Sequence, residues 1–291
     1  MKVNVKNLIY VGLDFIFENG NPWFIEMNPH AYGAYSIKTI SGEATPLKKL
    51  SNFTKKYKNF CALGWEEGKK ENTRWAANEL RHYGTKTELC LVKENVRRRK
   101  YLKTVDGKVV EPDCVFKHGH IGFHLRDSKA KIINPHYFFH IADKWNTYKI
   151  IADKVFRMPK TFLVKSRKQA DDIIRKNGDV FKNGFVIKPR NKSKGRGCFV
   201  LEVGDKIPAI RGERILQQRL IPDLIKGKYY WDARVFVVNG EIAGSEMRVT
   251  EDKITNVARG AKPTIVPKKI LEKVLGPSLK ITKALDRAER E

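Results

Sequence analysis

The sequence predicts an α/β protein built from more than one unit. Three observations lead there. Residues 59–92 run strand, helix, strand, which implies a right-handed crossover and a parallel sheet. Residues 8–28 and 230–249 each read as two apolar strands around an Asn-Gly turn, the signature of a hairpin. The chain has 291 residues, 41% hydrophobic and 31% charged, enough for a large core and for about two domains.

Composition sets further bounds. No apolar run approaches the ~20 residues that cross a bilayer, so no membrane partner is expected. Asp14 interrupts the first apolar segment and no small-residue cleavage site follows, so no signal peptide is expected. Cys61, Cys90, Cys114 and Cys198 are far apart without C-x-x-C spacing and read as reduced thiols of a cytoplasmic protein. The net charge of +26 predicts attraction to nucleic acid, nucleotide phosphates or an acidic partner, without separating them. The run Arg97-Arg98-Arg99-Lys100 reads as a solvated loop.

The first hairpin carries the sharpest chemistry. Its strands flank Asn19-Gly20-Asn21, and alternation puts Asp14 with Ile16 on one face and Phe24, Glu26 and Asn28 on one face of the second strand. A carboxylate in such a strand needs a partner or a metal. Asp14, Glu26 and Asn28 offer oxygen ligands that suit Mg²⁺ on substrate phosphates. The plain alternative is a hairpin with an edge carboxylate and a buried amide.

After the hairpin, which closes a segment of residues 1–35, residues 36–58 read as a linker with one short helix. Residues 59–142 form a small α/β domain, with strands at 59–64, 88–92, 109–116 and 131–135 and a helix at 71–83 that Gly84 stops. His118, His120 and His124 lie between its strands, open to a metal, to substrate contact or to no special role. Residues 160–219 form a second α/β unit: a strand at 161–164, a helix capped by Ser166, then the strand ending at Lys188. The following loop holds Lys192, Lys194, Gly195, Arg196 and Gly197, and reads either as a phosphate wrap or as a basic hairpin. It lacks the G-K-[ST] of a P-loop. Asp232, Arg234 and Arg248 are charged residues inside the hairpin strands 230–249; Asn256, Arg259 and Gly260 follow in a loop, and 267–291 is helical.

These pieces together resemble the ATP-grasp superfamily of carboxylate–amine ligases, most of all the glutamate-adding ligases that modify ribosomal proteins and coenzymes. Asp143-Lys144 with Met158-Pro159-Lys160 resembles the entry to that fold, and Val186-Ile187-Lys188-Pro189 its lysine-bearing strand before the lid loop. Gln217-Gln218-Arg219-Leu220 is similar to its adenine-facing hinge, and Asp232-Ala233-Arg234-Val235 to its core strand. Arg248, Asn256 and Arg259-Gly260 match its phosphoryl-facing arginine and loop. Three departures stand out: Lys192 replaces a usual Gly, Arg219 a frequent acid, and Ala261 a second Gly.

The resemblance implies an ATP-grasp fold with residues 59–142 as preATP-grasp domain, 143–219 as lid and 220–291 as core, completed by the hairpin. In the family that hairpin is C-terminal, so its place at the start implies a circular permutation; a piece of two tandem modules is the rival. The implied cofactors are ATP and Mg²⁺, with Mn²⁺ as the alternative ion. Asp14, Glu26 and Asn28 would hold the metal. Lys144, Lys188, Lys194, Gly195, Arg196, Gly197, Gln218, Arg219, Leu220 and Asp232 would bind the nucleotide, and Arg248, Arg259 and Asn256 would serve catalysis. The implied reaction joins a carboxylate to an amine, an amino acid or an acidic peptide or protein carrier, through an acyl phosphate. A kinase ending at phosphoryl transfer, or a nucleic-acid binder on an inactive scaffold, are the alternatives. The family commonly forms homo-oligomers.

Overall fold

In the computed structural model, which describes residues 2–29, 33–64, 70–95, 100–117, 127–135, 137–192 and 195–288, the first hairpin turns on two residues. Asn19 and Gly20 have φ of 52° and 68°, the primed turn that matches strand twist. They join β1 (Tyr10–Glu18) to β2 (Asn21–Asn28). The side chain of Asp223 grips this turn, accepting from the Asn19 and Gly20 amides at 2.8 Å each. Phe17 stacks on Trp231 at 4.9 Å, and Phe15 packs against Phe24 at 5.7 Å.

The chain then forms α1 (Ala34–Ser41) and α2 (Thr45–Thr54) in the stretch expected as a linker. Ile37, Leu47 and Leu50 are buried with Phe60, Leu80 and Phe116. The lysines between Lys38 and Lys58 fill the outer faces and dilute this apolar period. Next come β3 (Phe60–Gly64), α3 (Lys70–His82), β4 (Thr87–Leu91), α4 (Val92–Asn95), β5 (Leu102–Lys103), β6 (Val109–Val110), β7 (Cys114–Lys117) and β8 (Lys131–Ile133). The run expected as one strand at 109–116 is thus two, parted at Pro112, which has no amide hydrogen to give a ladder. The sheet order is β4-β3-β7-β8, and its neighbouring strands pair in parallel, as strand–helix–strand order predicts. Gly64 is required where α3 passes: a Cβ there would lie 2.3 Å from the Thr73 hydroxyl. Asn134 replaces the expected end of β8 and accepts from the Ile9 and Tyr10 amides at 2.9 and 3.1 Å.

The remaining elements are α5 (Phe138–Ile141), α6 (Lys144–Ile151), β9 (Thr161–Val164), α7 (Arg167–Lys176), β10 (Phe185–Pro189), β11 (Phe199–Leu201), β12 (Arg214–Gln218), β13 (Tyr230–Val238), β14 (Glu241–Thr250), β15 (Lys262–Thr264) and α8 (Lys268–Arg287). Ser166 caps α7 by accepting from the Gln169 amide. Strands β11-β10-β12-β9 form an antiparallel sheet over a core of Val164, Phe181, Phe185, Ile187 and Leu216. The last sheet runs β15-β14-β13-β1-β2, so the hairpin that opens the chain belongs to the same sheet as strands from residues 230–264.

By contacts the chain divides into two units. One holds Met1–Gly12, Asn28–His140 and Val235–Ser245; the other holds Leu13–Met27, Ile141–Arg234 and Glu246–Glu291. Among the described residues no helix is long and apolar enough to cross a membrane.

Candidate active site

The site lies wholly in the second unit and is built on strand alternation. Asp232 and Arg234 share a face of β13, Glu246 and Arg248 share a face of β14, and Asp14 comes from β1. Arg234 donates through Nε and Nη2 to the two oxygens of Asp14 at 2.6 and 2.7 Å. Arg248 donates in the same two-pronged way to Asp232 at 2.6 and 2.5 Å, and its Nη2 also lies 3.1 Å from Asp14. The Thr255 hydroxyl donates to Asp232 as well. Such forked pairs are the strong form of carboxylate–guanidinium contact. Burial alone would raise the Asp14 carboxyl, but Arg234 and Arg248 outweigh it and bring it down to about 2. Burial raises the Glu246 carboxyl; Arg234, 4.0 Å away, and Arg248 oppose this, while Asp14 and Asp232 add to it.

Two lysines face these acids. Lys188 ends the apolar run of β10 and is 7% exposed. Lys144 opens α6, whose start is fixed by Asp143: its carboxylate accepts from the Trp145 and Asn146 amides and from Arg190. Lys144 Nζ lies 3.2 Å from Glu26 and donates to the Lys192 carbonyl at 3.0 Å. Burial works against the charge of Glu26, yet Lys144 and then Lys188 hold its carboxyl below the ordinary range. Burial pushes the Lys188 ammonium down, and the neighbouring charge of Lys144 adds to this.

Part of this set lines a cavity of about 200 Å³. Asp14, Glu26, Lys144, Lys188, Gly195, Arg196, Gln218, Arg219, Leu220, Asp232, Arg248 and Asn256, all singled out from sequence, are on its wall. Ile16, Ile25, Val186, Val200 and Tyr230 give it apolar surface, and Cys198 a thiol. At the hinge, Gln218 is held by main-chain and side-chain bonds to Lys160 at 2.8 and 3.1 Å.

Other expected residues lie elsewhere. Arg259 is held by Asp252 at 2.8 Å and is absent from the cavity wall. Gly197 packs toward Pro189, and Asn28 is also off the wall. Lys194, the three histidines 118, 120 and 124, and Arg97-Arg98-Arg99 lie outside the described residues. The expected face shared by Phe24 and Glu26 is corrected. Burial along β2 alternates through Pro22 and Phe24, then slips, so that Met27 is buried and both Ile25 and Glu26 meet the cavity. The irregularity lets Phe24 pack on Phe15 while Glu26 reaches Lys144. The sequence marks Arg234 as a charge inside a strand without a role, and does not single out Glu246, Thr255 or Lys253. The i, i+2 spacing of Asp232 with Arg234 and of Glu246 with Arg248 was the available signal for the first two.

Comparison with known proteins bears on this geometry. Residues 141–286 match the family described as RimK-like ATP-grasp domain. The coenzyme gamma-F420-2:alpha-L-glutamate ligase of Methanocaldococcus jannaschii is 30% identical over 135 residues, 45% of this chain and 46% of that protein. Its counterpart in Methanococcus maripaludis is 26% identical over 136 residues, with the same shares. The match spans about half the length of these relatives. Among solved structures, a candidate gamma-glutamylcysteine synthetase from Methylobacillus flagellatus KT has a TM-score of 0.62 at 11% identity, covering 97% of this chain and 90% of that one. The ATP-grasp ligase PsnB, complexed with minimal precursor, has a TM-score of 0.54 at 14% identity, covering 78% and 82%. Both show likeness of fold.

Proposed function

We propose that this chain, which belongs to the RimK-like ATP-grasp domain family, is an ATP-dependent carboxylate–amine ligase that holds its nucleotide in the cavity above. The observation that carries the reading is the meeting there of Lys144 and Lys188 with the carboxylates of Asp14 and Glu26. Two neighbouring cations that repel each other suit a polyphosphate. Two carboxylates that repel each other suit a divalent cation.

Among the described residues no group of three or more His, Cys, Asp or Glu could hold a metal ion. The fit to Mg²⁺ rests instead on the carboxylates of Asp14 and Glu26 on the cavity wall, hard oxygen donors of the kind Mg²⁺ or Mn²⁺ would take. When bound, the ion offsets charge on the phosphates. PsnB has been solved with Mg and ADP, which supports the same pairing here.

Lys144 and Lys188 hold the phosphates. Main chain around Gly195 and Gly197, with Arg196, closes over them, and the main chain of Gln218, Arg219 and Leu220 meets the adenine edge. A substrate carboxylate oxygen bonds to the γ-phosphorus as the β–γ bridging bond breaks, giving an acyl phosphate and ADP. An amine nitrogen then bonds to the acyl carbon, loses a proton and expels phosphate. Asp232 fixes the plane of Arg248, which with Asn256 stabilises the charged oxygens of both steps. Arg259 joins them on leaving Asp252. The glutamate ligases among the relatives support an amino acid as amine, and the net charge of +26 an acidic acceptor. The order of elements, hairpin before the family-matched segment, is read as a circular permutation.

Mg²⁺-dependent ADP formation by the full chain, with a panel of acidic substrates and amino acids, tests the reading. Wild type is expected to release ADP only with a carboxylate and phosphate only with an amine, while Glu26→Ala binds ATP without turnover. Wild-type rates in Glu26→Ala would sink the assignment, and amine-independent phosphate transfer would make it a kinase.

A further inference from the structure

Glu246 is 1% exposed, and its Oε2 has no hydrogen-bond partner among the described residues. A buried carboxylate oxygen left that way is costly. Its other oxygen, Oε1, lies 4.0 Å from Nη1 of Arg234, an ion pair too long for a hydrogen bond. Arg234 gives its opposite edge, Nε and Nη2, to both oxygens of Asp14. Arg248, the other guanidinium on Asp14, is already committed to Asp232. The carboxylate read above as a cation ligand is thus held by a side chain that has a second carboxylate within reach. A divalent ion and a guanidinium compete for the same lone pairs and repel one another. A movement of about 1 Å would bring Nη1 of Arg234 into hydrogen-bond range of Glu246.

We propose that Arg234 has two positions: it holds Asp14, and it passes to Glu246 when a divalent cation takes Asp14. Glu246 is then a positioning residue that receives the displaced guanidinium and leaves the Asp14 oxygens to the ion. This rests on the reading of Asp14 as a metal ligand. It accounts for a buried acid that is off the cavity wall, and for its spare oxygen beside Arg234.

The test is titration of the full chain with Mn²⁺ alone, followed by the electron paramagnetic resonance of the free ion. Glu246→Gln is expected to weaken Mn²⁺ binding about tenfold, because Arg234 then has nowhere to go. Arg234→Gln combined with Glu246→Gln, which leaves the net charge unchanged, is expected to restore wild-type affinity or better, because the competitor is gone. Unchanged affinity in Glu246→Gln would overturn the proposal. So would a loss that persists in the double variant, since Glu246 would then attract the ion only through space. A crystal of the wild type with Mn²⁺ needs no variant. Arg234 within about 3 Å of Glu246 supports the exchange, and a forked Arg234–Asp14 pair beside bound Mn²⁺ contradicts it. Wild type that binds ATP but no Mn²⁺ would remove the metal-ligand reading and the exchange with it.

Discussion

Two inner strands meet burial in opposite ways. Strand β3 reads Phe60-Cys61-Ala62-Leu63-Gly64, is buried along its whole length and carries no charge. Strand β13 is buried almost as fully, yet holds Asp232 and Arg234 two residues apart. The first follows the rule for a parallel sheet covered on both faces. The second keeps its charges because each meets an opposite partner: Asp232 meets Arg248, and Arg234 meets Asp14. In β13 the buried charges are paired, and this paired layer underlies the cavity.

Breaking that layer has the largest expected effect. Arg248→Met strands Asp232 and weakens the hold on Asp14, and is expected to destabilise the chain by about 4 kcal/mol in urea unfolding. Loss below about 1 kcal/mol would mean the layer is solvated and the contrast with β3 is false. The matching change in β3, Leu63→Ala, opens an apolar cavity and is expected to cost about 3 kcal/mol, with nucleotide affinity unchanged in calorimetry. A loss of affinity there would join the parallel sheet to the site.

Acid sharpens the comparison further. The folded-state pKa of Asp14, about 2, lies below its ordinary 3.8. Its contribution is therefore complete above pH 3.8 and is lost as the pH falls toward 2. The shift corresponds to roughly 2 kcal/mol. Asp14→Asn is expected to flatten the fall in urea stability between pH 5 and pH 2.5 by about that amount; an unchanged slope would mean the arginines do not hold Asp14. The smallest effect is expected at a half-exposed pair. Glu241 bonds Lys2 and Lys49 at 3.0 and 2.8 Å with a third of its side chain exposed. Glu241→Gln is expected to change stability by about 0–1 kcal/mol.

Much of this was legible in the chain because the signals are local. Asn19-Gly20 announces its turn, and the apolar run before Lys188 announces a strand that delivers an ammonium to the cavity. The period of α3 showed through Trp75, Ala76 and Leu80. The helices of residues 34–54 are obscured because Gly42 parts two short apolar periods and Lys38, Lys48 and Lys49 interrupt them. The slip between Phe24 and Met27 breaks the alternation on which any reading of faces depends. Arg259 illustrates a different limit. Its spacing in the loop is plain, but its partner Asp252 depends on how that loop folds back. Arg234 has no readable role in the sequence, and Glu246 does not stand out there, because a charge inside a strand acquires meaning only with its neighbour on the next strand.

The central claim is that ATP occupies the cavity between Lys188, Glu26 and the lid loop, and Cys198 on its wall reports on this directly. Cys61, Cys90 and Cys114 are fully buried, whereas Cys198 is partly exposed. Alkylation of the native chain, read by mass spectrometry with and without MgATP, measures the occupancy of the site. Cys198 alone is expected to be labelled, and MgATP to slow its labelling while the other thiols stay unmodified. An unchanged rate at Cys198, at MgATP concentrations where calorimetry shows the protein to be saturated, would place the nucleotide elsewhere and contradict the account.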